Sequence, residues 1–197
     1  MAWIVKVGVQ AYLTQSQMEN NATEFYGYFH SKGFTIESIA GMLGNLQQES
    51  NINPGMKQTA SASSGWGLIQ WTPSSNLTEY ASAHGTDWTS GEIQTQLMWD
   101  EIINGYGRQW IPKPAKGYPY TGEEFSQLTN VTTSCMAYLI ERERAGVEVA
   151  EKRVAYANAW YEYLTGVTPP TPPEPPEPPT PTKRKGMPVW MMCRRLF

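Results

Sequence analysis

Cysteine and histidine are scarce in this 197-residue chain, with two of each. Cys135 and Cys193 lie on opposite sides of a proline-rich stretch, a poor arrangement for a disulfide within one domain, and neither has metal-ligand spacing. His30 and His84 have no Cys or His neighbours in register, so neither a metal site nor a cofactor is expected. Long hydrophobic runs are also missing. No stretch approaches the roughly 20 apolar residues of a membrane span, so no transmembrane segment is expected. The opening Met1-Ala2-Trp3-Ile4-Val5-Lys6-Val7 is short and broken by Lys6. It does not read as a secretory signal, which needs roughly 7–15 apolar residues. Basic charge is sparse over most of the chain: residues 1–166 hold ten Lys and Arg against sixteen Asp and Glu, a net of −6. That balance argues against nucleic acid as a partner.

What is present suits one globular domain over residues 1–166. The chain is 40% hydrophobic and 17% charged, and a domain of this length buries enough core to need no disulfide or metal. A linker follows at 167–182. Nine of the fifteen residues from 168 to 182 are proline, which dictates an extended polyproline-II spacer of roughly 45 Å. Residues 183–197 form a tail peptide that carries five basic residues and no acid, together with Trp190, Met191, Met192, Leu196 and Phe197. It is too short to fold alone. It reads either as a disordered end or as a docking peptide for a protein partner or an anionic surface.

Within the domain the periodicity is helical. Phe25, Tyr28 and Phe29 share a helical face from Met18 to about Ser31, and Gly33 ends it. Thr35 caps a second helix whose stripe is Ile36, Ile39, Leu43 and Leu46. Thr89–Glu92 and Thr121–Glu124 have capping-box spacing. Further helices are expected from about Val131 to Glu143 and from about Val149 to Leu164, the last stopped by Gly166. Only residues 51–73 look like strand and turn, so the class is α+β and predominantly helical, with a small β region there.

Glu49 lies three residues beyond Leu46 on the same stripe, at the end of its helix. A carboxyl there is expected at the edge of the core, partly desolvated, and desolvation raises the pKa towards that of a general acid. The bland alternative is a solvated Glu at a helix end, which the helix dipole disfavours by about 0.3–1 kcal/mol. About twenty residues on comes Gly65-Trp66-Gly67-Leu68-Ile69-Gln70-Trp71. Read as a strand, it places Leu68 and Gln70 on one side and Ile69 and Trp71 on the other. The glycines let the backbone approach a ligand, Gln70 offers a donor and an acceptor, and the indoles of Trp66 and Trp71 offer flat faces to a sugar. A core strand with a buried Trp71 is the competing reading. Ser50, Trp66, Gly67, Gln70 and Trp71 are therefore the candidate substrate-binding residues.

Gly41-Met42-Leu43-Gly44-Asn45-Leu46-Gln47-Gln48-Glu49-Ser50, with Ile52-Asn53-Pro54-Gly55 and Gly67-Leu68-Ile69-Gln70-Trp71-Thr72-Pro73, resembles the phage tail lysozyme family, the tail-tip wall-degrading domains of phages of Gram-positive hosts. The resemblance runs from about Tyr12 to Leu164 and includes Glu143-Arg144 and Ala159-Trp160-Tyr161. More distantly, the Glu-Ser and Gly-Leu-Ile-Gln motifs are similar to goose-type lysozymes and lytic transglycosylases. The resemblance implies a lysozyme-like fold and Glu49 as catalytic acid. It also implies peptidoglycan glycan strands as substrate, cleaved at the β-1,4 bond between N-acetylmuramic acid and N-acetylglucosamine.

Glycosidases of this kind usually use two carboxylates. None lies between Glu49 and Trp71. Glu143 is the first candidate, with an ion pair to Arg144 or Arg108 as its structural alternative; Glu79 and Asp87 come after it. Failing a second acid, Gln70 or a serine of 61–64 could position water. Alternatively the sugar's own 6-hydroxyl could attack, giving the 1,6-anhydro product of a lytic transglycosylase. A non-catalytic glycan-binding or tail-structural module is the reading from another class. Two settings fit: a virion-associated protein docked on phage tail proteins through 183–197, or an endolysin held in the host cytoplasm until release. Nothing after Val167 could ligate zinc as a peptidase does, so no peptidase activity is expected.

Overall fold

A computed structural model describes residues 2–143 and 149–166 of the chain. The Glu143 side chain, Arg144, the 167–182 linker, Cys193 and the 183–197 peptide lie outside the described residues. Seven α-helices carry the fold: α1 (Gln15–Ser31), α2 (Ile36–Ser50), α3 (Ser75–Ala83), α4 (Gly91–Ile103), α5 (Gly122–Ser126), α6 (Val131–Tyr138) and α7 (Ala150–Thr165). Two short strands, β1 (Gly8–Val9) and β2 (Met56–Lys57), pair in parallel with Gly8 opposite Met56 and Val9 opposite Lys57. The α+β, predominantly helical expectation holds.

Helix α2 is the centre of the molecule. Ile39, Ala40, Met42, Leu43 and Leu46 are wholly buried, so the helix is apolar on nearly every side. Its main partners are α6 and α7. Two glycines set how near they come. A Cβ at Gly41 would lie 2.6 Å from the Cys135 backbone nitrogen, and one at Gly44 would lie 2.5 Å from the Arg153 carbonyl. Both helices therefore rest backbone-to-backbone on α2, and any side chain at Gly44 would push α7 away. Phe25, Phe29, Phe34 and Phe125 extend the same core, each worth roughly 1.5–3 kcal/mol of burial.

The capping chemistry mostly follows the sequence. Thr35 caps α2 through the Ser38 backbone N–H, and Thr121 with Glu124 forms a capping box on α5. Helix α1 begins three residues before the expected Met18, because Thr14 and Gln17 make a capping box of their own. Ser90, not Thr89, caps α4; Thr89 instead closes a turn on Asp87. The helix expected over 131–143 changes to a π-helical turn at Leu139–Glu143. Gly166 ends α7 with a negative φ, so it stops the helix without a left-handed turn.

Strand β1 has no periodicity to announce it. Side-chain amides hold it in place. Asn53 Nδ2 donates to the Lys6 and Ala11 carbonyls at 2.7 and 2.6 Å, and its Oδ1 accepts from the Lys6 N–H. Asn21 does the same for both backbone groups of Ile4. The N-terminal segment is thereby stitched to α1 through Asn21 and to the turn after α2 through Asn53.

Candidate active site

The expected strand over residues 65–71 is a tight turn. Trp66 and Trp71 pair across it in both directions, and residues 67–70 reverse the chain. Gly67 (φ +80°) and Gln70 (φ +53°) both adopt left-handed backbone, which breaks strand alternation. Leu68, Ile69 and Trp71 are consequently all buried, whatever their parity. The wholly buried Gln94 fixes the turn. Its Oε1 accepts from the Leu68 N–H at 2.7 Å, and its Nε2 donates to the Pro54 and Trp88 carbonyls.

Opposite this turn stands Glu49, on the last turn of α2, its side chain 21% exposed. Arg153 on α7 reaches it: one guanidinium nitrogen donates to Glu49 Oε1 at 2.5 Å and another to Asn45 Oδ1 at 3.0 Å. Asn45 and Glu49 are one helical turn apart, so a single guanidinium spans both. Arg153 is itself buried. Glu49 Oε2 has no protein partner among the described residues.

Glu49 lines a cavity of about 470 Å³. Its wall carries six side-chain amides, from Gln10, Gln47, Gln48, Asn51, Gln58 and Gln70, with Tyr12, Lys57, Met56, Ile69 and Thr72 completing it. Ile69, Gln70 and Thr72 also line an adjoining cleft of about 230 Å³ that includes Trp71, Asn76, Gln109 and Arg142. The Gly67–Gln70 turn thus stands between two stretches of one cleft. Such a wall can exchange neutral hydrogen bonds in both directions, and it contains one carboxylate, one ammonium and one exposed phenol.

Residues 20–164 match the phage tail lysozyme family. The chain belongs to that family. Morphogenesis protein 1 of Bacillus phage B103 is similar to it, at 33% identity over 160 residues, covering 79% of this chain and 42% of the relative. The chain therefore spans less than half the length of that relative.

Of the five candidate substrate-binding residues, Gln70 alone lines the Glu49 cavity. Ser50 is buried, its hydroxyl donating to the carbonyls of Leu46 and Leu68, so it fastens the end of α2 to the turn. Gly67 is buried, with no room at its α-carbon: a Cβ would meet Gln94 Oε1 at 2.7 Å. Trp71 is 2% exposed, and its indole N–H donates to Glu101 Oε1 at 2.9 Å. It is largely core, and what it exposes lines the adjoining cleft. Trp66 is half-buried against Trp88, ring centroids 4.9 Å apart, and supports the cavity from behind Lys57.

The candidates for a second carboxylate separate similarly. Asp87 is committed to its turn, where the Thr89 hydroxyl and N–H hold its carboxyl below the usual range. Glu79 is exposed on a further cavity, with Tyr106, not on that of Glu49. The Glu143 side chain lies outside the described residues. Among the described residues Glu49 is the sole carboxylate lining its cavity.

Arg153 and Gln94 were not singled out in the sequence. Arg153 is 104 residues from Glu49 and reads as one more charge on an amphipathic helix. The available signal was Asn45, a polar residue one turn before Glu49 on an otherwise apolar stripe. Among the described residues no helix is long and apolar enough to cross a membrane, and no group of three or more His, Cys, Asp or Glu could hold a metal ion.

Proposed function

We propose that the protein degrades peptidoglycan as a muramidase-type lysozyme. It cleaves the β-1,4 bond between N-acetylmuramic acid and N-acetylglucosamine, with Glu49 as general acid. The observation that carries this reading is the division of labour on one carboxyl group: Oε1 is clamped by Arg153, while Oε2 has no partner among the described residues and belongs to a cleft lined with amides. In the reaction Oε2 gives its proton to the glycosidic oxygen, and the C1–O bond breaks with its electron pair on that oxygen. Arg153 then faces a full carboxylate, so its charge is best matched after proton transfer. Gln10 and Gln48, whose side chains make no hydrogen bond among the described residues, are available to N-acetyl groups and hydroxyls of the strand.

The lone carboxylate also favours a second reading, lytic transglycosylation. There the sugar's 6-hydroxyl attacks C1 and returns its proton to Glu49, leaving a 1,6-anhydro end. With water as nucleophile, a polar group such as Gln70 orients it and the product has a reducing end. The family supports a place in the phage tail and the relative's name a part in phage morphogenesis, which would make the substrate the host wall met at entry. Docking through residues 183–197 belongs to the same proposal, and a protein absent from purified virions would refute it.

The test is mass spectrometry of purified peptidoglycan digested by wild type and by Glu49→Gln. Reducing ends mean hydrolysis and anhydromuramic ends mean transglycosylation. A Glu49→Gln protein that clears walls as well as wild type removes Glu49 from the mechanism. A folded wild type that releases no glycan fragment supports the glycan-binding or tail-structural module instead.

A further inference from the structure

Among the described residues Lys57 is the one cation lining the Glu49 cavity. It sits on β2, and its cross-strand partner is Trp66, which puts the two side chains on one face. Its ammonium lies 3.8 Å from the centroid of the Trp66 ring and 5.1 Å from that of Trp88. The two indoles pack on each other. Trp66 is fixed in turn by its pairing with Trp71 and by its indole N–H, which donates to the Thr59 carbonyl at 3.3 Å. Among the described residues no carboxylate pairs with Lys57; the two ion pairs present are Arg153–Glu49 and Arg142–Glu101. An ammonium held over aromatic faces keeps its charge and loses side-chain freedom. This one is therefore pre-positioned at the cavity wall with its N–H donors unspent on any carboxylate.

Resting on the glycosidase reading, we propose that Lys57 is a specificity-determining residue. It binds a carboxylate borne by the glycan strand, so the cleft favours acidic wall polymer over neutral glycan. Two sources offer that group. In a peptide-bearing strand the lactyl carboxyl is tied up as an amide, and the stem peptide supplies the free carboxylates. In a strand stripped of its peptides the lactyl carboxylate itself is free. Either forms a charge-assisted hydrogen bond to the ammonium, strongest where water is partly excluded.

Calorimetry with soluble strands in a Glu49→Gln background measures binding apart from cleavage. Three ligands are compared: peptide-bearing strands, strands stripped of peptide, and peptide-bearing strands whose carboxylates have been amidated. Lys57→Met keeps an apolar stem on Trp66 and removes the charge. We expect it to weaken binding of a carboxylate-bearing strand about tenfold and to leave the amidated strand unchanged, with Lys57→Arg restoring most of the loss. A loss confined to peptide-bearing strands identifies the stem as the source; a loss confined to stripped strands identifies the lactyl group. Equal affinities of Lys57→Met and wild-type Lys57 for all three ligands overturn the proposal, and so does an equal loss on all three. Turnover by the protein with Glu49 intact is scored separately: absence of any cleavage refutes the glycosidase reading, while the binding comparison still judges Lys57.

Discussion

Two glutamate–arginine pairs join early helices to the late part of the chain, and they differ in what surrounds them. Glu49 on α2 meets Arg153 on α7, with the carboxylate side chain 21% exposed. Glu101 on α4 meets Arg142 on the π-helical turn, with Glu101 only 3% exposed. In the second pair Arg142 donates to Glu101 Oε2 twice, and the Trp71 indole takes Oε1. Both oxygens are spoken for. In the first pair Oε1 is held and Oε2 is left to a cleft. The same two residue types thus form a brace in one place and a candidate reactive group in the other, and solvent access to one oxygen makes the difference. Glu141 is a third case, a wholly buried carboxyl with no cation pairing with it among the described residues. Its Oε1 accepts from the Tyr120 N–H, and burial pushes its pKa up to about 7.

The contrast can be broken most directly at the two glutamates. Glu49→Gln is expected to lower the rate of wall cleavage by about 10²–10⁴, with a loss of urea midpoint smaller than that of Glu101→Gln because the carboxylate beside the buried Arg153 is partly exposed. Glu101→Gln removes the carboxylate of this pair from beside the buried Arg142 and is expected to cost about 3–5 kcal/mol in the same urea titration. If Glu101→Gln proves the stable variant and Glu49→Gln the unstable one, the assignment of brace and reactive group is reversed. Arg153→Met strips Asn45 and Glu49 of a shared donor, at an expected cost of about 1–3 kcal/mol. As a positioning residue it should also lower kcat with little change in KM; a loss of stability with unaltered kcat would make it a brace like Arg142. The last prediction concerns Glu141 and is read over a pH window rather than at one pH. The folded state holds its proton up to about pH 7, whereas the unfolded chain releases it near 4.5, so ionisation favours unfolding. Its contribution is fully present below about pH 4.5 and is lost as the pH rises through 7. Glu141→Gln should flatten that part of the stability profile, as read from thermal midpoints across this window. An unchanged slope would show that Glu141 does not titrate there.

Much of this was legible in the chain before folding. The stripe through Leu43 and Leu46 to Glu49, the caps at Thr35 and Thr121, and the helical class are all local, set by residues within about one turn of each other. The wall facing Glu49 was legible only as a location. Gly67 and Gln70 in left-handed backbone turn an apparent strand back on itself, and no alternation rule anticipates that. The burial of Trp71 was not legible either, because an exposed and a buried indole have the same sequence signature.

The sequence by itself determined where the acid would stand: at the end of a buried helix, without a second carboxylate in the segment that follows. Folding decided what stands beside it. Gly41 and Gly44 let α6 and α7 close on α2, and that contact delivers Arg153 to Glu49 across 104 residues of chain. Caps and stripes are written in neighbouring residues. Countercharges, clefts and the unshared oxygen of a carboxylate arise only when distant segments pack.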